Sequence, residues 1–245
     1  MASEIQASFL PNTLPQVDGW QFAVTLKPAR ETSGDFYDLL AMPGERVALL
    51  VADVTDKGIG AALFMALSRT LIRTYAFEHP TDPAAVFRAT NQRILSDSHS
   101  GMFVTVFYGI LDPASGYLTY CNAGHNPPYL LSADSNAAPP GLRNTGLPLG
   151  ILAEADWETK TVEIAPGGML VLYTDGVNEA HDEHSTMFGT ERLLAAIRDQ
   201  GHGSASAARD ALLSTVEQFM GTAPQYDDIT VMIVTRDGTR MDSAP

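Results

Sequence analysis

The stretch FVTVFYGILDPASGYLTYCNAG, residues 103–124, decides the fold class. Two runs rich in β-branched and aromatic residues flank Pro113-Ala114-Ser115-Gly116, a turn-forming cluster, so the runs are predicted to fold back on each other as an antiparallel hairpin. Upstream, short apolar or alternating segments at residues 20–26, 34–42 and 46–54 are separated by turn signals such as Pro43-Gly44 and read as further antiparallel strands. Downstream, strands are predicted at residues 128–131, 157–164, 169–174 and 229–235. The period changes over 58–77, where Ile59, Leu63, Leu67 and Leu71 recur every four residues beside Ala61, Ala62 and Ala66; this predicts a helix with that row as its buried face. A second helix follows from Asp82 as N-cap and Pro83 at its first position, running to about Ser96. Two more are predicted at residues 190–198 and 204–220. At the start, Ile5, Phe9 and Leu10 have helical spacing until Pro11 and Pro15 stop the pattern. Hairpin-linked strands with helices in pairs give an α+β fold with antiparallel sheet. The loop 132–145 is rich in Pro, Gly and Asn, and the tail over residues 237–245 is expected to be disordered.

With 245 residues the chain is long enough for one large domain or two small ones, and no break forces two. An excess of 29 acidic over 15 basic residues gives a formal charge of -14, which repels nucleic-acid phosphates and anionic lipid, so neither nucleic acid nor membrane is an expected partner. A single cysteine, Cys121, excludes an internal disulfide and fits a reducing compartment, pointing to the cytoplasm. The longest apolar stretches, such as 47–52 and 104–111, fall far short of the roughly 20 residues of a membrane helix, and no signal pattern opens the chain.

Four places share one local arrangement, an acidic residue where a strand starts or stops: Asp35, Asp53, Asp175, and the Asp227-Asp228 pair. Taken singly, Asp beside Gly is a turn residue. Taken together, carboxylates at rigid strand ends are what a Mg²⁺ or Mn²⁺ cluster uses, and an unpaired carboxylate beside strongly apolar strands is costly unless a cation or hydrogen bonds compensate it. Periodicity alone does not bring these positions together in space.

In order along the chain, SGDFYD (33–38), VADVTDKGIGAALFMA (51–66), FVTVFYGILD (103–112), NAGHNPP (122–128), GLPLG (146–150), LVLYTDGVNEA (170–180) and DDITVMIV (227–234) resemble the SpoIIE/RsbU-type phosphatases. These form the bacterial branch of the metal-dependent protein phosphatase (PPM, phosphatase 2C-like) superfamily. The resemblance covers residues 4–234 and implies an α-β-β-α sandwich, two antiparallel sheets flanked by helices, with a site for two Mn²⁺ or Mg²⁺ ions at one edge. It implies hydrolysis of phosphoserine or phosphothreonine in a phosphoprotein, usually an anti-anti-sigma factor (STAS domain), in sigma-factor signalling. By motif, Asp35, Asp53, Asp175 and Asp227 supply carboxylates and Val54 a backbone carbonyl, with Asp53 bridging the ions; Asp228 is the alternative to Asp227. Residues 16–236 are then the phosphatase domain and 1–15 the end of a signalling helix, with a sensor domain or partner upstream. A second reading is a non-catalytic module that binds a STAS or anti-sigma partner.

Where relatives read GGD this chain has Ser33, a change of little expected consequence if the backbone there is extended. Asp56 either adds a carboxylate or caps the following helix, the cap being the simpler expectation. Lys57 has two readings, phosphate contact or proton donor against solvated loop lysine, and Arg30 likewise, phosphate grip against surface ion pair. The neighbourhood of Gly58-Ile59-Gly60 lacks the third glycine of a dinucleotide loop, and Cys121 lacks the arginine six residues on that a cysteine phosphatase needs. His125 reads as a turn histidine hydrogen-bonding its own loop, and His181 with His184 as part of a solvated helix end.

Overall fold

The computed structural model describes all residues except 1, 12, 99–100, 133–138, 140, 199–202 and 239–245. Half of the loop predicted over 132–145, and the expected tail from residue 239 onward, therefore lie outside the described residues. The strands are β1 (Trp20–Lys27), β2 (Phe36–Met42), β3 (Arg46–Val54), β4 (Val104–Leu111), β5 (Tyr117–Ala123), β6 (Tyr129–Leu131), β7 (Lys160–Glu163), β8 (Met169–Tyr173) and β9 (Ile229–Arg236). The helices are α1 (Ala2–Phe9), α2 (Ile59–Glu78), α3 (Pro83–Asp97), α4 (Asp175–Asn178), α5 (Gly189–Arg198) and α6 (Ala205–Met220).

The predicted hairpin is β4 and β5, with Leu111 opposite Leu118 and Asp112 Oδ1 accepting from the Ala114 amide inside the turn. One sheet runs β2-β3-β4-β5-β7 and the other β1-β9-β8-β6, and every pairing is antiparallel. Alternation assigns the two faces of each strand. On β3, Ala48, Leu50 and Ala52 pack under α2 and α3, while Val47, Leu49 and Val51 join Leu170, Leu172, Met232 and Val234 between the sheets. On the far side, α5 and α6 cover Val171, Tyr173, Val231 and Ile233. The result is the expected α-β-β-α sandwich with three apolar layers. A fully buried Leu or Val in such layers contributes about 1.5–3 kcal/mol. No helix among the described residues is long and apolar enough to cross a membrane.

Three expectations need correction. Ile59 and Leu63 are 72% and 68% exposed, and the buried face of α2 is instead Ala61, Phe64, Met65, Ser68, Ile72 and Ala76. A strict four-residue step advances about 40° per repeat, so such a row spirals off the contact line, whereas mixed steps of three and four stay on it. The strand predicted over 157–164 is confined to Lys160–Glu163, because Trp157 turns inward and its Nε1 donates to the Leu147 carbonyl. The strand predicted over 169–174 ends at Tyr173, and Asp175 opens the short helix α4.

Helix α2 is also tied to β2 by charge. Asp38, on the helix-facing side of β2 and fully buried, accepts from Arg69 at 2.7 Å and Arg73 at 3.1 Å. Two guanidiniums and the Leu39 amide satisfy a carboxylate that would be prohibitive alone.

Candidate metal centre

The inward-facing rows of both sheets end in polar groups at the same edge. Following Val47, Leu49 and Val51, the next residue in the inward row of β3 is Asp53, opposite Thr105 of β4. On β2 the row Leu39 and Tyr37 extends back to Asp35, one residue before the strand and 2% exposed. In the other sheet, Leu170 and Leu172 lead to Thr174, while Val234 and Met232 lead back to Thr230 and Asp228. Asp35 spans the gap between the sheets: Thr174 Oγ1 and Thr230 Oγ1 each donate to its Oδ2 at 2.6 Å. The Thr174 hydroxyl is thereby committed and makes no cap to α4, although Thr174 stands at the N-cap position.

Like charges accumulate here. Burial, then the charges of Asp175 and Asp227, push the Asp53 carboxyl up to about 7, against a hydrogen bond with Asp35 that lowers it. Asp35 is raised well above the usual carboxylate range, first by burial and then by Asp53. Asp175 is raised by burial, Asp227 and Glu179 in that order. Asp35 and Asp53 come from one sheet, Asp175 and Asp227 from the ends of the other, and they lie within electrostatic reach of one another. Protons or cations must offset such a cluster.

Asp227 and Asp228 differ in what their carboxylates already do. Asp228 is 7% exposed; its Oδ1 accepts from the Ala29 amide at 2.7 Å, and its Oδ2 accepts from the Gly34 amide and the Ser33 hydroxyl, both at 2.8 Å. It staples the chain over residues 29–34 to the four-stranded sheet. Asp227 instead turns outward to Lys57 Nζ at 2.8 Å. The staple holds Gly34 so close to the Val54 carbonyl that a Cβ there would lie 3.1 Å from its oxygen. At Gly176, a Cβ would clash with the Asp228 carbonyl oxygen, so only glycine lets the turn after β8 approach β9.

The donor set is hard oxygen throughout. Among the described residues no group of three or more His, Cys, Asp or Glu side chains is already arranged to hold a metal ion, so the carboxylates stand as an open set. An open set suits Mg²⁺ and Mn²⁺, which use few protein carboxylates and complete their shells with water.

The neighbouring residues depart from expectation in several ways. Ser33 is far from inconsequential: it is 2% exposed and its hydroxyl serves Asp228. Asp56 does not cap α2; Gly58 is the N-cap with no side-chain bond, and Asp56 is exposed in a left-handed conformation with φ 72°. Lys57 is partly exposed and pairs with Asp227, an ion pair that neither of its two readings named. Arg30 is exposed on a notch of about 250 Å³ shared with Ala29, Lys57, Pro224, Gln225 and Tyr226. His125 is buried, its amide bonded to Asn122 Oδ1 at 2.8 Å and its Nδ1 3.0 Å from Thr105 Oγ1, and burial pushes its imidazole down to about 3. His181 and His184 are not on a helix; Asp182 organises their turn by accepting from the His184 and Thr186 amides. Thr174, Thr230 and Ser33 were invisible as site residues in the sequence reading. Following the inward alternating rows of β8 and β9 to the ends of the predicted strands would have found the threonines.

Residues 43–237 match the family model for Stage II sporulation protein E (SpoIIE). Protein IcfG of Synechocystis sp. is 31% identical over 96% of this chain and 40% of its own length. The phosphoserine phosphatase RsbU of Bacillus subtilis is 30% identical over 96% of this chain and 69% of its own. The chain thus spans well under half of IcfG and about two thirds of RsbU. Among solved structures, the SiaA-PP2C domain of Pseudomonas aeruginosa superposes with a TM-score of 0.84 at 25% identity, covering 96% of this chain and 94% of that one. A family model spanning most of the chain, relatives aligned over nearly all of it, and the two-sheet sandwich of a PP2C domain bear out the resemblance carried by the seven motifs: the chain belongs to the SpoIIE family, the SpoIIE/RsbU-type branch of the PP2C-like serine/threonine phosphatases.

Proposed function

We propose that this chain hydrolyses phosphoserine or phosphothreonine in a partner protein, using two Mn²⁺ or Mg²⁺ ions held by Asp35, Asp53, the Val54 carbonyl, Asp175 and Asp227. The observation that carries this reading is the meeting of those four carboxylates at one edge, with burial and mutual repulsion pushing Asp53 up to about 7. When bound, such ions supply Lewis acidity toward a water and toward the phosphoryl oxygens. The protein contributes placement. Thr174 and Thr230 occupy one oxygen of Asp35 and leave the other for the cluster. Asp53 is fixed by the β3–β4 ladder at its own position. The Asp228 staple fixes Gly34 beside the Val54 carbonyl, and with all its hydrogen bonds made within the protein, Asp228 acts as a positioning residue rather than a ligand.

The class of substrate we infer is a phosphorylated STAS domain, in line with the likeness to the phosphoserine phosphatase RsbU, and the place is the cytoplasm, in keeping with the single, buried, unpaired Cys121. Incubating the protein with a phosphoserine STAS domain, with and without Mn²⁺, and following the phosphate by gel mobility tests the reading. Turnover is expected only with the ion, and Asp53→Asn is expected to lose at least a hundredfold in kcat. Full activity of Asp53→Asn, or turnover unaffected by chelation, would overturn it.

A further inference from the structure

Lys57 is held in a way that surface lysines are not. It sits in the short connection from β3 to α2, between Asp56 and Gly58, both with positive φ (72° and 89°). That backbone aims the side chain back across the site. Its Nζ donates to Asp227 Oδ2 at 2.8 Å and to the Tyr226 carbonyl at 2.9 Å, and lies 4.4 Å from the centre of the Tyr226 ring. An ammonium has three donors. Two are on oxygen and the third side rests on an aromatic face. The ammonium also moderates the raised Asp175 carboxyl, so its field reaches more of the cluster than the one residue it touches.

We propose that Lys57 is a built-in counter-cation for Asp227, which a divalent ion must displace in order to bind there, so that this lysine sets the cation affinity of the site. The inference rests on Asp227 being a ligand, as proposed above. A monovalent ammonium and a divalent ion cannot share one carboxylate oxygen without strong repulsion. The displaced side chain has somewhere to go: the notch of about 250 Å³ between Ala29, Arg30, Pro224, Gln225 and Tyr226 adjoins it. With Lys57 and Asp227 side chains 29% and 32% exposed, the pair is partly screened, which makes the lysine a displaceable occupant rather than a lock.

Calorimetric titration of the metal-free protein with Mn²⁺ tests this without reference to activity. Lys57→Met is expected to bind the Asp227-dependent ion about tenfold more tightly than wild type. Lys160→Met, which removes the same charge from the distant strand β7, is expected to match wild type. In an Asp227→Asn background, adding Lys57→Met should change nothing further. If Asp227→Asn loses an ion while Lys57→Met binds as wild type or more weakly, the counter-cation idea fails and the ligand assignment stands. If Asp227→Asn binds Mn²⁺ as wild type does, the assignment and the inference fall together.

Discussion

Replacing Asp53 by Asn should stabilise the metal-free protein, and more so as the pH rises. Asp53 is pushed up to about 7 from an ordinary 3.8, by burial and by Asp175 and Asp227. A group whose folded pKa is raised holds a proton in the native state that the unfolded chain has already lost. Between about pH 4 and pH 7 the native state therefore binds more protons, and stability falls with rising pH through that window and stays low above it. The shift of about 3 units sets a ceiling of about 4 kcal/mol. Asp35 and Asp175 share the same repulsion, so one substitution recovers only part, about 2 kcal/mol. For a chain of this size that is about 4–8 °C in Tm. Thermal melts in chelator at pH 5, 6, 7 and 8 should show the two proteins diverging as the pH rises, with Mn²⁺ closing the gap at pH 8 by raising wild type alone. Equal melting points at pH 8, or a difference that is the same at pH 5 and pH 8, would refute the electrostatic account of the cluster.

Asp228→Ala should cost about 3–5 kcal/mol in urea unfolding, since it strands two backbone amides and the Ser33 hydroxyl inside the protein; a loss under 1 kcal/mol would mean the staple is dispensable. On α2, Ile72→Ala should cost about 2–4 kcal/mol and Leu63→Ala under about 0.5 kcal/mol, because Ile72 is 0% exposed and Leu63 68%. The Cys121 thiol, fully buried and pushed up to about 11, should stay unreactive toward a disulfide reagent at pH 8 in the folded protein and react at once in urea; rapid labelling of the native protein would contradict its placement.

Local chemistry carried much of the fold into the sequence. The turn at residues 113–116, the apolar run of β3 and the Asp82-Pro83 start of α3, where Asp82 does accept from the Ala85 amide, are all decided by neighbours in the chain. The face of α2 was misread because equal four-residue steps look periodic but wind around the helix. Which strands meet was beyond reach: β1 pairs with β9 across nearly the whole chain, and Asp35 meets Thr174 and Thr230 only because the two sheets stack. The acids at strand ends were visible one by one, and their order within a family pattern singled them out. Their supports were not, since the role of Ser33 is defined by Asp228 and that of Lys57 by Asp227, each far away in sequence.

Strand β9 lies between β1 and β8, and the cluster takes Asp227 from just before it. During synthesis, Asp53 leaves the ribosome roughly 10–35 s before Asp227, at about 5–20 residues per second. Throughout that interval β1 has no ladder partner, and β8, once made, lacks one of its two. Among the described strands β9 emerges last, and it completes the four-stranded sheet and brings Asp227 to the acidic cluster in the same step.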